Sequence, residues 1–517
     1  MRIEPYLSRQ AEIRPEAVAV VSGSRRMTYG DLANEVARCA AGLSALGTGR
    51  GDRVILILDN TAEAVIAFFA VWQIGAVACP LHPSIKAEKL ADILTRTMPT
   101  AVILHAKASR MVELACERSA TSPVLILSDV DAADVCKGIP LSTLPTHPVA
   151  DTPTPALDEQ DLALLIHTSG STGSPKGVML THRNLDFACR TVCDYLNNNA
   201  EDVVLSVLPL SFGYGITQMV TMMMAGGTLV LERSFAFPRA ILERLAEERV
   251  TGFPLVPAMA GLITAMQDLQ PGFLPHLRYI TSAAAAMPPA TTAALHRLLP
   301  GAELFLMYGQ TECIRTSYLP PDRAAREPLS VGRALPGTEV AIIREDGQPA
   351  CKGETGELQV SGPHVMAGYW MDAVATERTI VMRDGKRWLK SGDLFRQDVD
   401  GLLYYVARQD DIIKTRGEKV SPQEVERVLY ALPGVLEAAV EGVPDPLFGQ
   451  VVKAHVVAAP GVALTERMVR QHCAEHLEDF MVPKLVEFRD TLPKTSTGKI
   501  RLSLAQPVSE DTEGQVA

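Results

Sequence analysis

His167-Thr168-Ser169-Gly170-Ser171-Thr172-Gly173-Ser174-Pro175-Lys176-Gly177-Val178 packs glycines and short hydroxyl side chains ahead of a single lysine. The apolar residues before it, Leu164 to His167, read as a buried strand, so the segment is a loop leaving a strand end. Glycine leaves backbone N–H groups unshielded, and serine and threonine add hydroxyl donors, which together can cradle a polyphosphate. The spacing from Gly170 to Lys176 does not fit the common nucleotide loop, G-x-x-x-x-G-K-[ST]. Read alone, the segment is equally a flexible surface linker.

Working outward, helical and strand patterns alternate on both sides, which favours an α/β architecture. Thr28 with Asp31 three residues on predicts a capped helix start, and Val54 to Leu58 a buried strand. Further strand candidates are Val203 to Leu208, Thr228 to Leu231, Arg278 to Ser282 and Glu303 to Met307, which with Leu164 to His167 suggest one large sheet flanked by helices. Gly138 to Leu162 holds five prolines among small polar residues and reads as a surface connector. Near the C-terminus, Ser421-Pro422-Gln423-Glu424 combines an N-cap, an N1 proline and a capping-box glutamate. Val425, Val428, Leu429 and Leu432 then share one helical face, and Val435 to Val443 and Val451 to Val457 are strand-like, so the last hundred residues or so form a small α+β unit. The tail after Ala505 reads as disordered.

Composition narrows the function. At 517 residues the chain is too long for one hydrophobic core, and 47% hydrophobic with 21% charged residues is ordinary for a soluble globular protein. A formal net charge of −11 argues against a broad nucleic-acid or anionic-membrane footprint. The opening MRIEPYLSRQ is no secretory signal, and the most apolar stretch, Ala64 to Leu81, carries Gln73, Gly75 and Pro80, so it reads as a buried helix followed by a strand. Of the nine cysteines only Cys189 and Cys193 are closely spaced, and no histidine completes a metal site. Reduced thiols and a cytoplasmic location are expected.

The opening loop is the first of five ordered motifs. The others are Met307-Tyr308-Gly309-Gln310-Thr311-Glu312, Leu389-Lys390-Ser391-Gly392-Asp393, the run from Ala407 to Glu426, and Leu492-Pro493-Lys494-Thr495-Ser496-Thr497-Gly498-Lys499. Together they resemble the superfamily of AMP-forming acyl-CoA synthetases, nonribosomal adenylation domains and luciferases. The resemblance extends more weakly from about residue 10 to about residue 505. It implies the adenylate-forming fold: a large N-terminal domain of sheets flanked by helices over residues 1–409, a small mobile α+β domain over 410–505, and a tail over 506–517.

The resemblance also implies the chemistry. A carboxylate is a poor electrophile and must exchange an oxygen for a better leaving group, adenylate, before a thiol attacks. Thr168, Ser169, Gly170, Ser171, Thr172, Gly173 and Lys176 would hold ATP phosphates, with Thr311 reaching a phosphate oxygen and Glu312 the Mg2+ ion. Tyr308, beside Gly309, would stack on adenine, while Asp393 and Arg408 would bind the ribose. Lys499 would stabilise the charge developing as pyrophosphate departs. Asp410 is the hinge candidate, with Lys414 and Gly417 lining a tunnel for CoA or phosphopantetheine. Taken singly, each of these residues is also ordinary surface or a solvated ion pair.

Leu210-Ser211-Phe212-Gly213-Tyr214-Gly215-Ile216 lacks the aspartate that amino-acid-activating relatives carry beside the phenylalanine, so an α-ammonium would be buried unpaired. Tyr214, Gly215, Met219, Ser282, Ala283, Ala284 and Met307 would line a pocket suited to an aliphatic or simple aryl acid. Met222 to Met224 and Ala283 to Ala286 are at least as readily plain helix and strand packing. The segment from Tyr308 to Pro321 resembles bacterial biosynthetic ligases that serve CoA or a separate carrier protein, and Arg315 either meets a polar group of the substrate or braces its loop. His167 replaces a frequent tyrosine and Ser391 a frequent threonine. A stand-alone amino-acid-activating enzyme, a luciferase-like oxygenase and a non-catalytic binding relative are the competing readings.

Overall fold

The structure is a computed structural model that describes residues 1–129, 138–144, 157–169, 175–416, 418–494 and 502. Among the described residues the strands form four sheets. A nine-stranded sheet carries the parallel run Thr228–Leu231, Val203–Ser206, Gly252–Leu255, Tyr279–Ser282 and Glu303–Tyr308. An eight-stranded sheet is built on the parallel strands Arg53–Ile57, Val77–Pro80, Ala101–Leu104, Val124–Leu127 and Leu162–Ser169, with Pro175–Thr181 added antiparallel.

Both sheets are covered on both faces, which is why their strands read as continuous apolar runs and not as alternating ones. Val54 and Leu56 enter a core shared with Val20, Val204 and Leu229 of the nine-stranded sheet, while Ile55 and Ile57 enter a second core on the other face. The helix Ala62–Gln73 belongs to the shared core and is buried from Ala64 to Trp72. A helix apolar all round must be enclosed, and this one is. Its Trp72 donates from Nε1 to the Ala163 carbonyl at 2.8 Å, fastening the helix to the strand that leads into the opening loop.

A five-stranded sheet joins Glu339–Ile343, Thr355–Ser361, Lys386–Gln397, Ile380–Arg383 and Leu403–Arg408. Here Asp393 lies in register with Arg408. The 3-10 turn Gln409–Asp411 follows, and Ile413–Thr415 opens the C-terminal five-stranded sheet, against which the helices Pro422–Ala431 and Glu466–His476 bury Val425, Leu429, Val469 and Cys473. No described helix is long and apolar enough to cross a membrane.

Three expectations need correction. The predicted strands do not share one sheet: Leu162–Ser169 lies in the eight-stranded sheet and the rest of that set in the nine-stranded one. The proline-rich connector is in part anchored, because Ile139–Pro140 pairs with Val124–Leu127 and Leu141 and Leu144 are buried in the core. The helix at Pro422 forms without its capping box. The Ser421 hydroxyl donates instead to the Val406 carbonyl at 2.6 Å, linking the C-terminal unit to the strand Leu403–Arg408. The box at Thr28 and Asp31 does form, with both reciprocal bonds made. The tail after residue 505 lies outside the described residues. Trp72→Ala is expected to destabilise the large domain by about 3–5 kcal/mol, read by denaturant unfolding, because it leaves a cavity and removes the hydrogen bond to the Ala163 carbonyl.

Candidate active site

The strand Glu303–Tyr308 closes the parallel run, and open α/β sheets bind ligands at the carboxyl ends of their strands. Beyond it the chain turns back, with the Thr316 N–H donating to the Tyr308 carbonyl at 2.8 Å and the Cys313 N–H to the Gln310 carbonyl at 3.1 Å. Gly309 is required in this turn, because a Cβ there would meet the Ile314 carbonyl oxygen at 2.4 Å. Sequence order thus delivers Tyr308, Gln310, Thr311, Glu312 and Arg315 from one tight turn.

Asp393 stands on the long strand Lys386–Gln397 and is buried. Its Oδ2 accepts from the Tyr308 hydroxyl at 2.6 Å and from Gln310 Nε2 at 2.7 Å. Arg408 Nε lies 3.3 Å from Oδ1, yet that oxygen accepts no hydrogen bond and is sealed from solvent. Burial, then the Asp393 charge, pushes the Tyr308 phenol well above its ordinary range, so it stays a donor. The ring of Tyr308 meets Phe395 edge to face at 4.8 Å. Ser391 Oγ donates to the Leu358 carbonyl at 2.6 Å and accepts from the Asp393 N–H at 3.1 Å, a role served by either hydroxyl residue.

A second centre gathers around Tyr369, on the short strand Gly368–Tyr369 that pairs with Pro175–Thr181. The Tyr369 hydroxyl donates to Glu312 Oε1 at 3.0 Å, and the Lys176 ammonium lies over its ring, 5.2 Å from the centroid. The Met366 N–H also donates to the Glu312 carbonyl at 2.8 Å. Thr168 and Ser169 end the strand leading into the loop, in register with Lys176 and Pro175. Gly170, Ser171, Thr172 and Gly173 lie outside the described residues, as do Lys499 and Gly417.

The pocket candidates come from several elements. Tyr214, on the helix Gly213–Ala225, shares a hydrogen bond of 2.8 Å with Thr281 Oγ1, and burial pushes its phenol up to about 12. Gly215 has no room for a side chain, since a Cβ would sit 2.3 Å from the Pro209 carbonyl oxygen. Met219, Ser282, Ala283 and Met307 are buried, and Tyr195 OH lies 3.0 Å from Met307 Sδ. Ala284 adopts a left-handed φ of 77°, a strained conformation for alanine. Asp410 and Lys414 are exposed, on the 3-10 turn and the hairpin after it, away from these contacts.

Tyr369 carried no motif and was not singled out; Gln310 was quoted in a motif without a role. Cys189 and Cys193 are free thiols with no metal partners among the described residues.

The sequence model of the AMP-binding enzyme family matches residues 7–370, and that of the AMP-binding enzyme C-terminal domain matches residues 424–499. A feruloyl-CoA synthase of Amycolatopsis sp is 37% identical over 498 residues, covering 95% of this chain and 96% of that protein. An indoleacetate–CoA ligase of Aromatoleum aromaticum is 31% identical, covering 97% of each. The crystal structure of a benzoate CoA ligase from Burkholderia xenovorans LB400 superposes with a TM-score of 0.87 at 28% identity, over 97% of this chain and 99% of that one. Tyr369→Phe leaves Glu312 without its hydroxyl donor and is expected to raise the KM for ATP by about tenfold or more, the scale of a hydrogen bond to a charged group. Unchanged steady-state kinetics would show that Glu312 needs no such partner.

Proposed function

We propose, for a chain that belongs to the AMP-binding enzyme family, that it joins a carboxylic acid lacking an α-amino group to AMP and passes the acyl group to the thiol of CoA. The chain is an AMP-forming acid–thiol ligase, and its ATP-dependent activation of a carboxylic acid precedes thioester formation. The observation that carries the site assignment is the Asp393 carboxylate. One oxygen is fixed by two donors, while the other is buried beside the Arg408 guanidinium and accepts no hydrogen bond. A buried acceptor left open is costly unless a ligand supplies donors, and the paired hydroxyls of a ribose are such donors.

From that anchor the other roles follow. Tyr308 offers its ring to adenine, and Arg408 flanks the sugar. Thr311, the Thr168–Gly173 loop and Lys176 hold the phosphates. The Glu312 carboxylate is a hard oxygen donor that fits Mg2+, which would neutralise phosphate charge as pyrophosphate leaves. Lys499 donates to the reacting carboxylate and the α-phosphate, a role that rests on its motif. The exposed turn Gln409–Asp411 separates the five-stranded sheet from the C-terminal sheet, which supports a domain boundary at residue 410 and Asp410 as hinge. Lys414 and Gly417 line the thiol's approach after the swing.

The acid follows from the pocket. Beside Phe212 stands Gly213, so no carboxylate there meets an ammonium. Small and apolar walls at Gly215, Met219, Ala283, Ala284 and Met307 suit a flat or slender acyl chain. The names of the relatives, for ferulate, indoleacetate and benzoate, support an aromatic skeleton. A cytoplasmic location suits ATP and CoA as substrates.

ATP-dependent pyrophosphate release is expected with aryl and arylalkyl acids and not with amino acids, with the acyl-CoA seen by mass spectrometry. A thioester formed only on a separate carrier protein's phosphopantetheine would overturn the choice of CoA. Lys499→Ala is expected to cut adenylate formation by about 10²–10³ while thioester formation from synthetic acyl-AMP persists. Equal loss of both half-reactions would sink the two-state division of labour.

A further inference from the structure

Arg315 is 2% exposed, and its guanidinium sits over the Tyr214 ring, 5.1 Å from the centroid. Its Nε is sealed from solvent and donates to nothing. A bracing arginine would donate to the carbonyls of its own turn, but that turn is closed by Thr316 and Cys313 N–H groups without help from the guanidinium. Among the described residues no aspartate or glutamate pairs with it. The groups that face it are Tyr214, Tyr195 and Cys189, and burial pushes all three upward, so none supplies a negative charge. A buried arginine without a counter-ion is strongly disfavoured, and the missing charge must come with a ligand.

Resting on the ligase reading above, we propose that the acid activated by this enzyme carries a second anionic group, a carboxylate in the simplest case, that seats on Arg315. Glu312 and Arg315 leave the same turn toward different partners, Glu312 to Tyr369 and Arg315 to Tyr214. The carboxylate that reacts belongs with the first, and the second anion with the second. A guanidinium matches a carboxylate with two parallel N–H donors, and the Tyr214 face holds the fork flat. Arg315 is then a specificity-determining residue, separate from the groups that handle ATP.

The test compares matched pairs, benzoate with the benzenedicarboxylates and phenylpropionate with its carboxylated analogues, by pyrophosphate release in the full-length enzyme. The wild type is expected to favour the dianion in kcat/KM. Arg315→Met is expected to lower the dianion-to-monoanion ratio by about 10–100-fold, chiefly through KM, and Arg315→Lys to restore part of it. Thermal-shift titration of each variant with the dicarboxylates alone checks folding and reads binding directly. A wild type that turns over monoacids with no dianion preference, and a ratio unmoved in Arg315→Met, would overturn the Arg315 assignment and leave the ligase reading intact. No pyrophosphate with any acid, alongside Arg315-dependent binding of dicarboxylates, would overturn the ligase reading and retain the anion site. Dicarboxylate binding equal in wild type and Arg315→Met would overturn the site on either background.

Discussion

The Asp393 carboxylate is the point on which the site's geometry depends, because it ties two sheets that share no strands. Its Oδ2 collects donors from the turn after the last parallel strand of the nine-stranded sheet, while its own backbone belongs to the five-stranded sheet. A charge-assisted hydrogen bond of 2.6 Å from Tyr308 is short and strong, and a second from Gln310 fixes the plane of the carboxylate. With Oδ2 doubly occupied, Oδ1 is left facing Arg408. A carboxylate so held is preorganised: the ligand finds an oriented acceptor and no side-chain freedom needs to be frozen on binding.

Rigidity behind that point comes from the shared core. The enclosed helix Ala62–Gln73 is fastened through Trp72 to the strand that feeds the phosphate loop candidate, and residues of both large sheets fill the space around it. Glu312 and Lys176 then meet through Tyr369, whose strand pairs with the one carrying Lys176. Each functional group is therefore held from a sheet, while the C-terminal unit joins through an exposed turn, the Ser421 to Val406 hydrogen bond described above and an exposed ion pair between Lys419 and Glu345.

The sequence made part of this legible, and the division follows physical range. Buried parallel strands announce themselves through short β-branched and apolar runs, so Thr228–Leu231 matches its expected limits and Tyr279–Ser282 and Glu303–Tyr308 lie within a residue of theirs. Local capping is legible where the side chain has no rival partner, as at Thr28, and fails where a distant carbonyl competes, as at Ser421. Which sheet a strand joins is a long-range choice that period and propensity do not encode, hence the division of one expected sheet into two. Motif residues were found because they cluster in sequence. Tyr369 was missed because its role exists only through space, 57 residues from the carboxylate it serves.

Arg315 shows the same limit from the other side. In sequence it stands between two equal readings, a brace or a ligand group, and nothing local separates them. Burial separates them: a brace would show its hydrogen bonds, and Arg315 Nε, sealed from solvent, has none. The aromatic face of Tyr214 gives partial compensation, since cation–π attraction amounts to about 0.5–2 kcal/mol, well short of the several kcal/mol that desolvating an ion requires. An apolar pocket with one uncompensated cation in its wall is thus not simply apolar. Its electrostatics ask for a charge beside Arg315 while the nucleotide site handles the reacting carboxylate, and on the proposal above the choice of acid rests on that asymmetry more than on the shape of the walls.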